Sequence, residues 1–361
     1  MKKLLTAIVV ITIILNSTAA MSADFSQYQH LDNVYAQMGI PHTSAHSSRD
    51  TLSLDFSFFL YDFDENPVAI FYSFMPSGYA IYDYNTAVVL EYGTGIKHPF
   101  YTDTNERYYY NGVFEYYKKT IAGFENLETG YSLSFDEAAS CKVETFYNEE
   151  FYSTSNTVSR ATVSEAGELT YSTRYYNCNI RTNYSYFYPN LSSTQLNSIP
   201  GVAGPLACAI LLAYYDDYYG YWAGNYGDFA DDYYKASGSV SNQTYGIELV
   251  KELVQFIDPA GNGSLMLDAG MREYLSENLL AGSVEMRLYA AYTQMKSAVS
   301  QNVPLIIGTS SHYCVGIGYR TVSGTQQIKV NKGWGAAYQD EESEQYINAN
   351  TVVSSWELYL D

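Results

Sequence analysis

Basic residues are scarce in this chain: 19 lysines and arginines stand against 39 aspartates and glutamates, a formal net charge of −20. Phosphate contacts need lysine and arginine patches, so nucleic acid is excluded as the expected partner. Cysteine is sparse too, four in 361 residues, and positions 141, 178, 208 and 314 lack the clustering of a disulfide scaffold. Cys141 and Cys178 could pair or stay free. Histidine occurs only at 30, 42, 46, 98 and 312, which leaves His312 alone in the second half. After the first twenty residues no apolar run is long enough to span a bilayer, and no membrane contact is expected of the mature chain.

What the chain does have begins with an export layout. "MKK", the apolar run "LLTAIVVITIIL" and the small residues "NSTAA" read as a signal peptide over 1–20, which predicts a secreted, extracellular protein. The remaining length favours two domains over one core. Residues 24–40 carry helical periodicity, with Phe25, Tyr28, Leu31 and Tyr35 near one face. From about Thr51 the period drops to two: "LSLDFSFFLYDF", "PVAIFYSF", "GYAIYDY" and "TAVVLEYG" predict an antiparallel sheet, followed by a helix near 105–120 and further strands. Forty tyrosines supply much of this pattern. The polar, aromatic-free "STSNTVSRATVSEAGE" at 153–168 reads as a linker, so the divisions expected are 24–152, a linker over 153–170, and 171–361. In the last of these, helices are predicted at 206–219, 244–258, about 267–279 and 292–302, then strands at "VPLIIGTS", "HYCVGIGYRTV", "QQIKVNKGWG" and "WELYL". Helices first and an antiparallel sheet afterwards make an α+β domain.

Three residues in that second half carry chemistry. Cys208 follows "GP" at the front of a helix, where a thiolate is stabilised by the helix dipole and by a neighbouring imidazolium. His312 opens a strand in which Cys314, Gly316 and Gly318 share its face. Asn331 stands in "VNKGWG" on the following strand, with Trp334 close behind. A thiolate can attack an amide carbonyl, and a histidine can protonate the leaving amine and then activate water. An asparagine oxygen can hold the imidazole in the right tautomer, and a tryptophan can shield that bond from water. Each residue alone also has a plain reading: a core cysteine, a satisfied core histidine, a turn asparagine, a core tryptophan.

In the order Cys208, His312, Asn331, and in "ACAILLAYYD", "MKSAVSQNVPLIIGTSSHY", "HYCVGIGY" and "VNKGWG", residues 171–361 resemble the papain-like clan of cysteine peptidases, closest to secreted bacterial streptopain-like enzymes. The resemblance implies a papain-like catalytic domain preceded by an α+β antiparallel-sheet propeptide. That segment, about 24–152, would block the site of a zymogen until cut near Arg160. It implies Cys208 as nucleophile, His312 as acid and base, Asn331 as the orienting residue and Trp334 in support. Protein or peptide would be the substrate and the chain's own propeptide an intramolecular inhibitor. It departs from the family around Cys208: Ala209-Ile210 follow where the family has Gly or Val and then small residues, Leu206-Ala207 precede, and six residues before the cysteine stands Val202, not the glutamine that completes the oxyanion hole. Gln195 and Asn197 are nearby amides outside the motif. That gap supports a second expectation, a non-catalytic papain-fold protein that binds peptide or glycan. A transglutaminase-type acyl transferase is a third. No cofactor or metal is expected: "DDYY" points its carboxylates apart along a helix, and "AGNGS" lacks the lysine of a phosphate loop.

Overall fold

The computed structural model describes residues 30–40, 52–96, 98, 100, 106–128, 130–141, 163–170, 184–191, 202–219, 242–261, 266–278, 282–288, 292–310, 312–333 and 344–359. The signal segment, Cys178, Gln195, Asn197, Trp334 and Arg160 lie outside the described residues. Among those described, no helix is long and apolar enough to cross a membrane.

The chain opens with α1 (Leu31–Met38), which Gly39 ends in the left-handed conformation at φ 75°. Four strands follow, β1 (Ser53–Tyr61), β2 (Pro67–Met75), β3 (Gly78–Asp83) and β4 (Val88–Thr94). Next come β5 (Tyr108–Tyr110), β6 (Tyr116–Lys119), β7 (Gly123–Asn126), β8 (Ser132–Ser134) and the short α2 (Phe135–Ser140). The second half holds β9 (Val163–Glu168), α3 (Tyr184–Phe187), α4 (Ala203–Tyr219), α5 (Asn242–Ile257), α6 (Leu267–Glu277), β10 (Ser283–Leu288) and α7 (Tyr292–Ser300). It closes with β11 (Leu305–Thr309), β12 (Tyr313–Val322), β13 (Thr325–Asn331), β14 (Glu344–Asn348) and β15 (Val352–Tyr359). The architecture is mixed α+β around one large sheet.

The helix expected near 105–120 is instead the β5–β6 hairpin. Its tyrosines suit strands, and the tip bends through Gly112 at φ 125° and Phe114 at φ 68°, conformations that a helix does not contain. Part of the expected linker is also a strand, since β9 pairs with β12 from Gly318↔Glu168 to Val322↔Val163.

The strand order is β10-β15-β11-β12-β13-β14-β4-β3-β2-β1-β5-β6-β7-β8, with β9 joining at β12. All pairings are antiparallel except the parallel β1–β5 pair, so the sheet is mixed rather than purely antiparallel. The β4–β14 pairing carries the sheet from the first half into the second. Central strands are buried along nearly their whole length because both faces are covered. One face packs Phe71, Ile81 and Val315 with α4 and α5; the other packs Ile70, Tyr72, Tyr82 and Tyr346 with Val34, Tyr35 and Met38 of α1.

Candidate active site

The helix carrying Cys208 starts earlier than its sequence suggests. Leu206 N–H bonds Val202 O at 2.9 Å, which makes Ala203 the first helical residue and puts Pro205 inside the first turn, where a missing N–H costs nothing. Cys208 therefore lies in the second turn, beyond the first turn where the helix dipole acts. It does not head the helix. Every residue from Gly204 to Tyr215 is buried, and Cys208 is 0% exposed, while Ala203 is partly exposed. Burial pushes the Cys208 thiol well above its ordinary range.

His312 stands one residue before β12, in a tight turn. Its N–H donates to Thr309 Oγ1 at 3.0 Å, and Thr309 N–H donates back to His312 O at 2.9 Å. The ring is buried against Phe114, with centroids 5.3 Å apart and planes at 79°. Burial, with the Lys332 cation adding to it, holds the imidazole down at about 3.

Asn331 ends β13 opposite Val315 of β12. Its Oδ1 accepts from Gly333 N–H at 2.8 Å, a side-chain-capped turn that Gly333 completes at φ 76°. That turn lies directly on α4. A Cβ at Gly333 would stand 2.6 Å from Ile210 and 2.9 Å from Leu206. At about 100° per residue, Ala203, Leu206 and Ile210 form one stripe of the helix, and Cys208 lies about 200° round from Leu206. The structure thus brings the Asn331 turn to the side of α4 that begins with Ala203 and turns Cys208 to the opposite side.

The ring packed on His312 comes from the first half. Phe114 is the tip of the β5–β6 hairpin, and a bulky residue at positive φ costs on the order of 1–3 kcal/mol unless its surroundings hold it. Glu91 of β4 holds it: its Oε2 accepts from Phe114 N–H at 3.0 Å, and its Oε1 accepts from the Tyr116 hydroxyl. Glu91 is 0% exposed, and burial pushes its carboxyl up to about 8. Lys332, next to Asn331, pairs with Glu128 at 2.5 Å and stands 5.5 Å from the Phe114 ring centre.

A reactive thiolate–imidazolium pair needs a lowered thiol and a raised imidazole. Here burial moves both the other way, so Cys208 and His312 are neutral at pH 7. Cys314 offers no replacement: it is buried in β12 opposite Ile307, and burial, followed by the Glu91 carboxylate, raises its thiol. Cys141 is free and half-buried at the end of α2.

Ala203, Phe114, Glu91, Glu128 and Lys332 were missed in the sequence. Pro205 was the available signal for Ala203, because proline favours the first helical turn. Lys332 was visible within "VNKGWG" but nothing local to it announces a buried partner. The chain matches no protein-family model and is similar to no curated protein at a significant level, so what this site does has to be argued from its own geometry.

Proposed function

We propose that the chain is an exported protein of papain-like architecture that binds peptide without hydrolysing it, the first half serving as a propeptide-like cover. The observation that carries this reading is the placement of Cys208. It lies in the second turn of α4, fully buried, facing away from the Asn331–Gly333 turn, while the first residue on the facing stripe is Ala203, which has no nucleophile. Peptide is the ligand class because the group already seated on His312 is the aromatic tip of a hairpin.

Iodoacetamide should label Cys141 well before Cys208 in the native protein, read by peptide mass mapping, with E-64 labelling neither. Cys208→Ser should leave any background casein turnover unchanged. Rapid alkylation of Cys208, together with casein hydrolysis that Cys208→Ser abolishes, would overturn the reading.

A second reading is favoured by the same hairpin. A cysteine peptidase zymogen, with Cys208, His312, Asn331 and Trp334 as its site, would also keep its histidine under Phe114 until the first half is removed. That reading requires casein turnover to appear when the chain is cut between 142 and 162, and to be lost in Cys208→Ser.

A further inference from the structure

The two halves meet along a seam that has the character of a sheet interior. β4 and β14 pair through Thr94↔Glu344, Gly93↔Gln345, Tyr92↔Tyr346 and Glu91↔Ile347. Tyr92 and Tyr346 stack across it, with centroids 5.2 Å apart and planes at 12°. Gln345 Nε2 donates to the Tyr79 hydroxyl at 2.7 Å, and the Tyr92 hydroxyl donates to Gln327 Oε1 at 3.3 Å. The end of α1 is tied in as well: Gln327 Nε2 donates to Gln37 O and Arg320 Nη2 to Met38 O, both at 2.8 Å. The Arg320 guanidinium also lies 3.9 Å over the Tyr346 ring. Gln327 and Gln345 are 1% and 2% exposed, so separation would strip partners from groups that have no access to water until the seam opens. It would also bare two strand edges with unpaired N–H and C=O groups.

A detachable cover would be expected to meet its partner through a smaller, wetter surface without shared strands. We infer that the described residues of the first and second halves form a permanent strand-paired unit, so that a chain cut between 142 and 162 remains one two-fragment particle. The binding partner of the β14 edge is the chain's own β4. This stands apart from whether the site hydrolyses anything, because its readout is mass and size and not turnover.

The test starts from the full mature chain with a site-specific protease recognition sequence substituted at 153–160, its cutting verified on a denaturing gel. The nicked protein should elute at the volume of the uncut protein, and native mass spectrometry should give the summed mass of both fragments. Arg320→Ala should speed fragment exchange in the nicked protein roughly tenfold, which corresponds to about 1.4 kcal/mol. Elution of two separate fragments in native buffer would overturn the inference, whichever way the thiol-labelling experiment falls. Exchange unaltered by Arg320→Ala would overturn the part assigned to that side chain.

Discussion

Two glutamates of the first half hold tyrosine hydroxyls and differ in almost everything else. Glu65, at the turn between β1 and β2, accepts from Tyr109 at 3.0 Å and pairs with Lys119 and Arg107 at the solvent edge. Lys119 leads the effects that hold its carboxyl below the ordinary range. Glu91, at the seam, accepts from Tyr116 and from the Phe114 amide while fully buried, and its carboxyl is pushed up to about 8. The shared tyrosine bond decides neither outcome. Solvent and two adjacent cations decide the first, and desolvation the second. The seam is therefore where single substitutions should cost most.

The largest effect should come from Phe114→Ala. Loss of the ring should destabilise the protein by about 3–5 kcal/mol. It should also let the His312 imidazole climb from about 3 toward 6.5, followed by NMR titration. A histidine that stays low in the variant would shift the cover from Phe114 to Lys332 and its neighbours. Glu91→Ala should follow, at about 2–3 kcal/mol by chemical denaturation, because it leaves the buried Phe114 amide without its acceptor and the Tyr116 hydroxyl with only its long contact to Tyr79, at 3.4 Å.

The pH dependence separates the two glutamates by sign. Folded Glu91, and Glu115 likewise at about 8, keep protons that the unfolded chain gives up near 4.5, so each lowers stability as pH rises through that window. His312 and His98, held near 3 and 4, work the other way up to their ordinary 6.5. Above 6.5, of these four groups, only the carboxyls still titrate differently in the two states. Stability should fall from pH 6.5 to 8, roughly tenfold in the folding constant per unit for each carboxyl. Glu91→Gln should remove about half of that slope. Glu65, lowered when folded, adds stability above the ordinary carboxylate range and loses it as pH falls through the folded value. Glu65→Gln should therefore flatten the acid limb and leave the slope above it unchanged. It should cost less than about 1 kcal/mol at neutral pH, the smallest effect of the set, since its ion pairs face solvent. A Glu65→Gln loss matching that of Glu91→Ala would break the contrast.

Much of the fold was legible because its strands and helices alternate cleanly. The strands β1 to β4 and β11 to β13 follow the period-two runs, and α5 buries Leu249, Val250, Leu253 and Ile257 as its spacing predicts. The misreadings have local causes. Around 105–120 tyrosine fits either element, and only the turn at Gly112 and Phe114 decides for a hairpin. The β9 sequence "VSEAGE" has no apolar face; ion pairs hold it, Glu165 to Lys296 and Glu168 to Lys329 at 2.8 Å. Its Gly167 lies flat under the Tyr319 ring, where a Cβ would come within 2.6 Å. At the site, His312 falls one residue before the strand it was expected to open, and Asn331 ends β13 instead of standing within the run "QQIKVNKGWG". The placement of Cys208 depended on how far upstream the helix begins. The cover over His312 joins residues 198 positions apart, 114 and 312, a contact that no local pattern encodes.

β12 is clasped along both sides, by β13 on one and by β11 and β9 in succession on the other. Its backbone groups are spoken for, which closes the middle of the sheet to any invading strand. The hazard of aggregation by edge-to-edge growth then falls on described strands with an edge that no described strand covers, among them β8, β9 and β10. β8 is only three residues long, Ser132 to Ser134, too short to template much growth. That leaves β9 and β10 as places where a destabilised copy of this chain would begin to stick to another.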